Sequence, residues 1–137
     1  MSYVPVAMAE EQLSEGMGAA FAMVPLEPSG PLLVALRDGH LMPRDVALLW
    51  VLVAHLDWRT GRAWVNSAEL AAAMGHTRTE TVVRSLARLR QAGMVAKGSD
   101  KRDPRRRFWC VCPWAVAATG GKHRRRLQWL QFSAALE

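Results

Sequence analysis

The chain has 137 residues, 50% of them hydrophobic and 22% charged, which is the composition of one globular domain and excludes wholesale disorder. Its 18 Lys and Arg outweigh 12 Asp and Glu for a net charge of +6. Its longest uncharged helical stretch, Val46 to Ala54, is far short of a membrane span. No basic-then-apolar leader is visible, and the two cysteines, Cys110 and Cys112, fit a reduced compartment, so a cytoplasmic protein is expected. The charge is unevenly placed. Residues 1–40 hold five acids (Glu10, Glu11, Glu15, Glu27, Asp38) and one base, Arg37, whereas residues 41–137 hold seventeen bases and seven acids. A surface so cationic is the electrostatic footprint of a polyanion partner, with a solubilising surface as the plain alternative. Arginine supplies most of the excess, and guanidinium pairs bidentately with phosphate oxygens and guanine edges.

Along the chain, residues 1–30 read as an arm. Residues 1–18 show no sustained period, and Ala19 to Leu26 could form an edge strand interrupted by Pro25. Leu32, Leu33 and Leu36 predict a short helix ending near Gly39. A stronger helix opens at Pro43, with Asp45 at its positive dipole end. Val46, Leu49, Trp50 and Val53 give it one apolar face, broadened by Leu48, Val51, Leu52 and Leu56. Arg59 to Arg62 reads as a turn and Ala63-Trp64-Val65 as a brief strand. Asn66 and Glu69 make a capping box for a short helix that buries Leu70, Ala71 and Met74 and stops at Gly75. A second capping box, Thr77 to Glu80, precedes a helix whose inward stripe is Val82, Val83, Leu86 and Leu89 and whose stop is Gly93. Met94 to Lys97 and Phe108 to Cys112 predict antiparallel strands around a charged loop, Gly98 to Arg107.

That order predicts an α+β, mainly α, winged helix-turn-helix over residues 31–119, with a short three-stranded sheet and a C-terminal extension over 120–137. In such a fold the second helix of the pair enters the major groove. Arg78, Thr79, Thr81, Arg84 and Ser85 are then candidates for base contact, the arginines toward guanine O6 and N7 and the hydroxyls toward bases or phosphates. Thr77 and Arg88 are candidates for phosphate contact. The loop adds Lys101, Arg102, Arg105, Arg106 and Arg107, cations able to reach phosphate or the adjacent minor groove. A charged tip that merely blocks edge aggregation is the alternative. A last basic run, Lys122 to Arg126, precedes Leu127 to Phe132. As a strand this segment aligns Leu127 with Trp129; as a helix it aligns Leu127, Leu130 and Ala134, and the strand is preferred. Its aromatics predict docking on the domain's own core or on a twin.

Candidate catalytic and metal residues are lacking. His40, His55, His76 and His123 are scattered, Cys110 and Cys112 have no partner at ligand spacing, and neither a Walker loop nor a GxGxxG occurs. The expectation is a non-enzymatic protein with no metal and no cofactor.

With those residues in view, the chain resembles winged-helix plasmid replication proteins of the RepL type, and more distantly MarR-like repressors, from about Pro31 to Phe132. The resemblance is carried by the helix from Asp45 to Leu56, by SAELAAAMG from Ser67, and by TRTETVVRSLARLRQAGMVAKG. A Pro-led helix after the wing (PWAVAATG) and the terminal segment RRRLQWLQF complete it. It implies origin binding as a DNA-bound homodimer, with Arg78, Thr79, Thr81 and Arg84 reading sequence. The expected partner is therefore double-stranded DNA, with host replication or transcription proteins as further candidates. Alternative roles are transcriptional repression, a protein-interaction adaptor using the Trp109, Trp114 and Trp129 surface, and RNA binding through the same phosphate attraction.

Overall fold

The computed structural model describes residues 30–57, 59–116 and 122–136. Apart from Gly30, the arm and its edge strand at Ala19–Leu26 lie outside the described residues. The elements run α1 (Pro31–Arg37), α2 (Pro43–Ala54), β1 (Leu56–Asp57), β2 (Arg62–Ala63), α3 (Ser67–Ala73), α4 (Glu80–Gln91), β3 (Val95–Ser99), β4 (Arg107–Val111) and α5 (Lys122–Leu136). The fold is thus α+β and mainly helical. α3 and α4 form the helix-turn-helix, and β3 and β4 form the wing.

The helix boundaries follow from local chemistry. Pro43 opens α2, and the Asp45 carboxylate accepts the Met42 amide at 2.8 Å, satisfying a donor the helix leaves unpaired. The Asn66–Glu69 capping box closes as expected: the Glu69 amide donates to Asn66 Oδ1 at 2.8 Å and the Asn66 amide to Glu69 Oε1 at 3.4 Å. The second box does not form. Thr79 is the N-cap of α4 but sits in the helical region (φ −88°, ψ −15°), so its hydroxyl makes no capping bond and Thr77 to Thr79 lie in the turn ahead of the helix. Gly75, at φ +76°, turns the chain between α3 and α4.

The sheet has four antiparallel strands in the order β1-β2-β4-β3, one more than expected. The extra strand exists because α2 ends early. His55 takes the C-cap, and the Gly61 and Arg59 amides donate to the Asp57 carbonyl and carboxylate at 2.6 and 2.9 Å, folding Leu56–Asp57 back against Arg62–Ala63. Ala63 pairs with Trp109 on the face toward α4, while Arg62 and Phe108 turn to the other face, where α5 packs against β3 and β4. Both faces of the sheet are therefore covered.

Two expectations about packing are corrected. In α2 the buried set is Asp45, Leu48, Leu49, Leu52 and Val53, and Trp50 is 43% exposed. The stripe at i, i+3, i+4 and i+7 starts from Asp45, an acid, rather than from Val46. The C-terminal segment is helix, not strand: Gln128 and Phe132 are buried and Ala135 packs against the core, a spacing of four and three residues that only a helix brings to one side. The Pro-led segment forms a turn over Pro113–Val116, where the Ala115 and Val116 amides donate to the Cys112 carbonyl; residues 117–120 lie outside the described residues.

Gly98 is required by its cross-strand partner. A Cβ there would stand 2.5 Å from Phe108 Cζ, and that ring is held by Trp64 at 5.0 Å and by the Arg62 guanidinium at 4.4 Å. Gly98→Ala is expected to destabilise the domain by about 1–3 kcal/mol, the usual cost of overpacking, as read by urea denaturation.

Candidate nucleic-acid interface

The turn before α4 and the helix's solvent side carry Thr77, Arg78, Thr79 and Arg84, all exposed, with Thr81 half-buried. Because Val82, Ser85, Leu86 and Leu89 are the buried residues of α4, its outer side comprises Glu80, Val83, Arg84, Ala87, Arg90 and Gln91. Two sequence assignments change here. Val83, read as core, is 51% exposed, and Ser85, read as a base contact, is buried. The i, i+3, i+4, i+7 series from Val82 contains Ser85, not Val83.

Ser85 faces inward because it has a partner there. Its hydroxyl donates to Asp45 Oδ1 at 2.5 Å, and Arg88 grips the same carboxylate bidentately, Nε to Oδ2 at 2.9 Å and Nη2 to Oδ1 at 2.8 Å. Burial works against the Asp45 charge, but the hydrogen bonds from Arg88, Ser85 and Met42 outweigh it and hold the carboxyl below its ordinary pKa. Arg88, read as a phosphate contact, is consequently engaged within the protein, where it ties α4 to α2. Asp45 is the important residue that reading by residue type missed. The available signal was an acid at the head of a buried apolar series.

The wing's strands reach to Ser99 and from Arg107, so its tip is shorter than the Gly98–Arg107 loop expected. Its two acids shape that tip. Asp100 Oδ1 accepts the Arg102 amide at 3.0 Å, Asp103 Oδ1 accepts the Arg105 amide at 3.2 Å, and the Asp100 amide donates to the Arg106 carbonyl at 2.9 Å. Lys101, Arg102, Arg105, Arg106 and Arg107 are left exposed around it. One of these cations is held: the Arg106 guanidinium lies 4.4 Å from the centre of the Trp64 ring, which itself meets Phe108 edge-on.

Between α4 and the wing runs a groove of about 490 Å³ lined by Val83, Ala87, Arg90 and Gln91 on one side and Lys97 and Trp109 on the other. It shares Ser67, Lys97 and Trp109 with a second groove of about 390 Å³ that takes in Trp64, Asn66, Glu69 and Arg105 to Arg107. Arg90 and Lys97 thus flank the first groove, between α4 and the sheet, while Lys97 and Arg105 to Arg107 flank the second, whose other wall is Trp64 to Glu69 at the start of α3, the acid Glu69 included. Arg90 was not among the sequence candidates, because its place beside the groove depends on how the wing folds back on α4. Lys101 and Arg102 belong to the tip beyond it, and Arg126 is exposed on α5.

Among the described residues no group of three or more His, Cys, Asp or Glu could hold a metal ion, and no helix is long and apolar enough to cross a membrane. Burial pushes the Cys110 thiol up to about 11.

No family model matches the chain, and no curated protein does. Among solved structures, the PcaV transcriptional regulator from Streptomyces coelicolor, crystallised with its natural ligand, is similar over 99% of this chain and 78% of that one. The identity is 16% and the TM-score 0.39. The winged-helix assignment therefore stands on this chain's own element order and strand register, and none of these comparisons supports the RepL-type resemblance.

Proposed function

We propose that this chain is a sequence-specific double-stranded DNA-binding protein that regulates transcription by occupying an operator. The observation that carries the reading is the pair of adjoining grooves that share Ser67, Lys97 and Trp109, one beside α4 with Arg90 and one beside the wing with Arg105 to Arg107. Its geometry suits a sugar-phosphate strand, leaving α4 for the major groove on one side and the wing tip for the neighbouring minor groove on the other. Arg78, Thr79, Thr81 and Arg84 supply donors and acceptors for base edges. Thr77, Arg90, Lys97, Lys101, Arg102, Arg105, Arg106 and Arg107 serve phosphates. Ser85 and Arg88 are given no DNA contact. Occupying an operator requires nothing beyond this interface, whereas replication initiation also calls for recruitment of further proteins.

Selection of bound DNA from random oligonucleotides should return a defined site. On that site, Arg78→Ala and Arg84→Ala are each expected to relax preference at particular base pairs at a cost of about 1–3 kcal/mol. Equal binding of both variants to every sequence would remove base readout from α4. Preferential binding of single-stranded or duplex RNA over duplex DNA would remove the DNA assignment itself.

A further inference from the structure

We propose that Val83 is a thymine reader: its exposed methyls pack on the 5-methyl group of one thymine in the major groove, beside the base pair that Arg84 contacts. The inference rests on α4 entering that groove and deepens that reading, by naming a base the bound site must contain. The buried side of α4 is complete without Val83, since Val82, Leu86 and Leu89 fill it and Ser85 is tied to Asp45. Val83 is instead 51% exposed, and its neighbours on the outer side are charged or polar except Ala87, one turn on. Helix formation does not account for the choice. A β-branched residue is a weaker helix former than alanine or a long charged side chain, and an exposed position normally goes to one of those.

The surroundings decide what covers this valine. Val83 and Ala87 line the groove beside α4 together with Trp109, and the cations Arg90 and Lys97 stand next to them, the Lys97 ammonium 5.3 Å from the centre of the Trp109 ring. Arg84 follows Val83 directly on the exposed side. Glu80, one turn earlier, is the acid of that side, and the positive end of the helix dipole favours it there. The apolar spot is thus two small side chains in a cationic rim. A partner that fits brings negative charge for the rim and one small apolar group for its centre. In duplex DNA the thymine methyl is that group, an apolar feature set among the hydrogen-bonding atoms of the major-groove edges and flanked by phosphates. Val83 lies in the first half of α4, the half that a helix-turn-helix sets nearest the base edges. Uracil lacks the methyl, so the same contact favours DNA over RNA.

The test pairs a methyl removed from the DNA with methyls removed from the protein. In the site selected from random oligonucleotides, each thymine is replaced in turn by deoxyuridine, which deletes the 5-methyl group and keeps every hydrogen-bonding atom. For the full chain, one such replacement should weaken binding about fourfold, the worth of one methyl group taken out of water. Val83→Ala should bind the thymine and uracil forms of that position equally, while its response at the other thymines stays that of the wild type. Val83→Thr, which keeps one methyl and the shape, should retain part of the thymine preference. Circular dichroism should be the same for all three proteins, because the side chain is half out in solvent. A site in which no thymine methyl matters, or a uracil penalty as large in Val83→Ala as in the wild type, would overturn the proposal. In either case Arg84→Ala still decides the reading beneath it: relaxed preference at a base pair keeps α4 in the groove, and unchanged preference in both Arg84→Ala and Val83→Ala removes the groove reading together with the proposal.

Discussion

Replacing Asp45 with alanine is expected to destabilise the domain by about 3 kcal/mol, the low end of what breaking a buried ion pair costs, because part of Arg88 can still reach water. Asp45 has no solvent exposure and the Arg88 side chain retains 30%. The loss has three sources: the Ser85 hydroxyl is left buried without its acceptor, the Arg88 guanidinium loses its counter-ion, and the Met42 amide loses its cap. Urea denaturation measures it. Replacing all three polar partners with apolar groups (Asp45→Leu, Ser85→Ala, Arg88→Leu) should recover much of the loss, since an apolar core stranding no charge can match a buried pair. A single-variant cost below about 1 kcal/mol would show instead that the carboxylate is dispensable. The pH dependence has a fixed sign. Asp45 has a lowered pKa in the folded protein, so its contribution is complete above the ordinary carboxylate value of about 3.9 and is lost as pH falls through the lower folded value. Wild type should lose more stability than Asp45→Asn in that acid window. From neutral pH down to about 5 the two curves should run parallel.

Removing the three wing arginines together (Arg105→Ala, Arg106→Ala, Arg107→Ala) is expected to weaken DNA binding about a hundredfold near 0.15 M salt. Each phosphate neutralised contributes about −0.9 to the slope of log affinity against log salt, so three contacts account for up to about 2.7, acting over roughly 0.8 decade below 1 M. The same variant should keep its sequence preference, because phosphate contacts position the protein without reading bases. Titrations at several salt concentrations separate the two effects. An unchanged slope would take the wing off the DNA. A slope that falls together with sequence preference would make these arginines base readers in the minor groove.

The order of elements was legible because each boundary carries its own chemistry: Pro43, the Asn66–Glu69 box, Gly75 and Gly93 mark where helices begin and end. Within α4 the failure was finer than the element. Val83 and Ser85 exchanged roles because hydrophobicity alone pulls valine inward, while the period of the helix puts Ser85 on the buried side. The C-terminal segment deceived differently. LQWLQF satisfies a period of two and a period of 3.6 equally well, and only the packing of Gln128 and Phe132 against the sheet decides between them. The exposure of Arg78, Thr79, Arg84 and the wing cations was legible from residue type and place. The withdrawal of Arg88 was not, because its partner lies 43 residues away in α2. Nor was the groove: Lys97 and Arg90 come to line it together only after the hairpin has formed.

The Arg106 guanidinium resting on the Trp64 indole has a consequence for the thermodynamics of encounter. A long, freely rotating side chain gives up about 0.5–1.5 kcal/mol of torsional freedom when a ligand immobilises it. At Arg106 the folded monomer has already surrendered much of that freedom. With the guanidinium seated over the indole, preorganisation is built into the free protein at this one cation, while Lys101 and Arg102 stand exposed on the tip and must give up that freedom on binding.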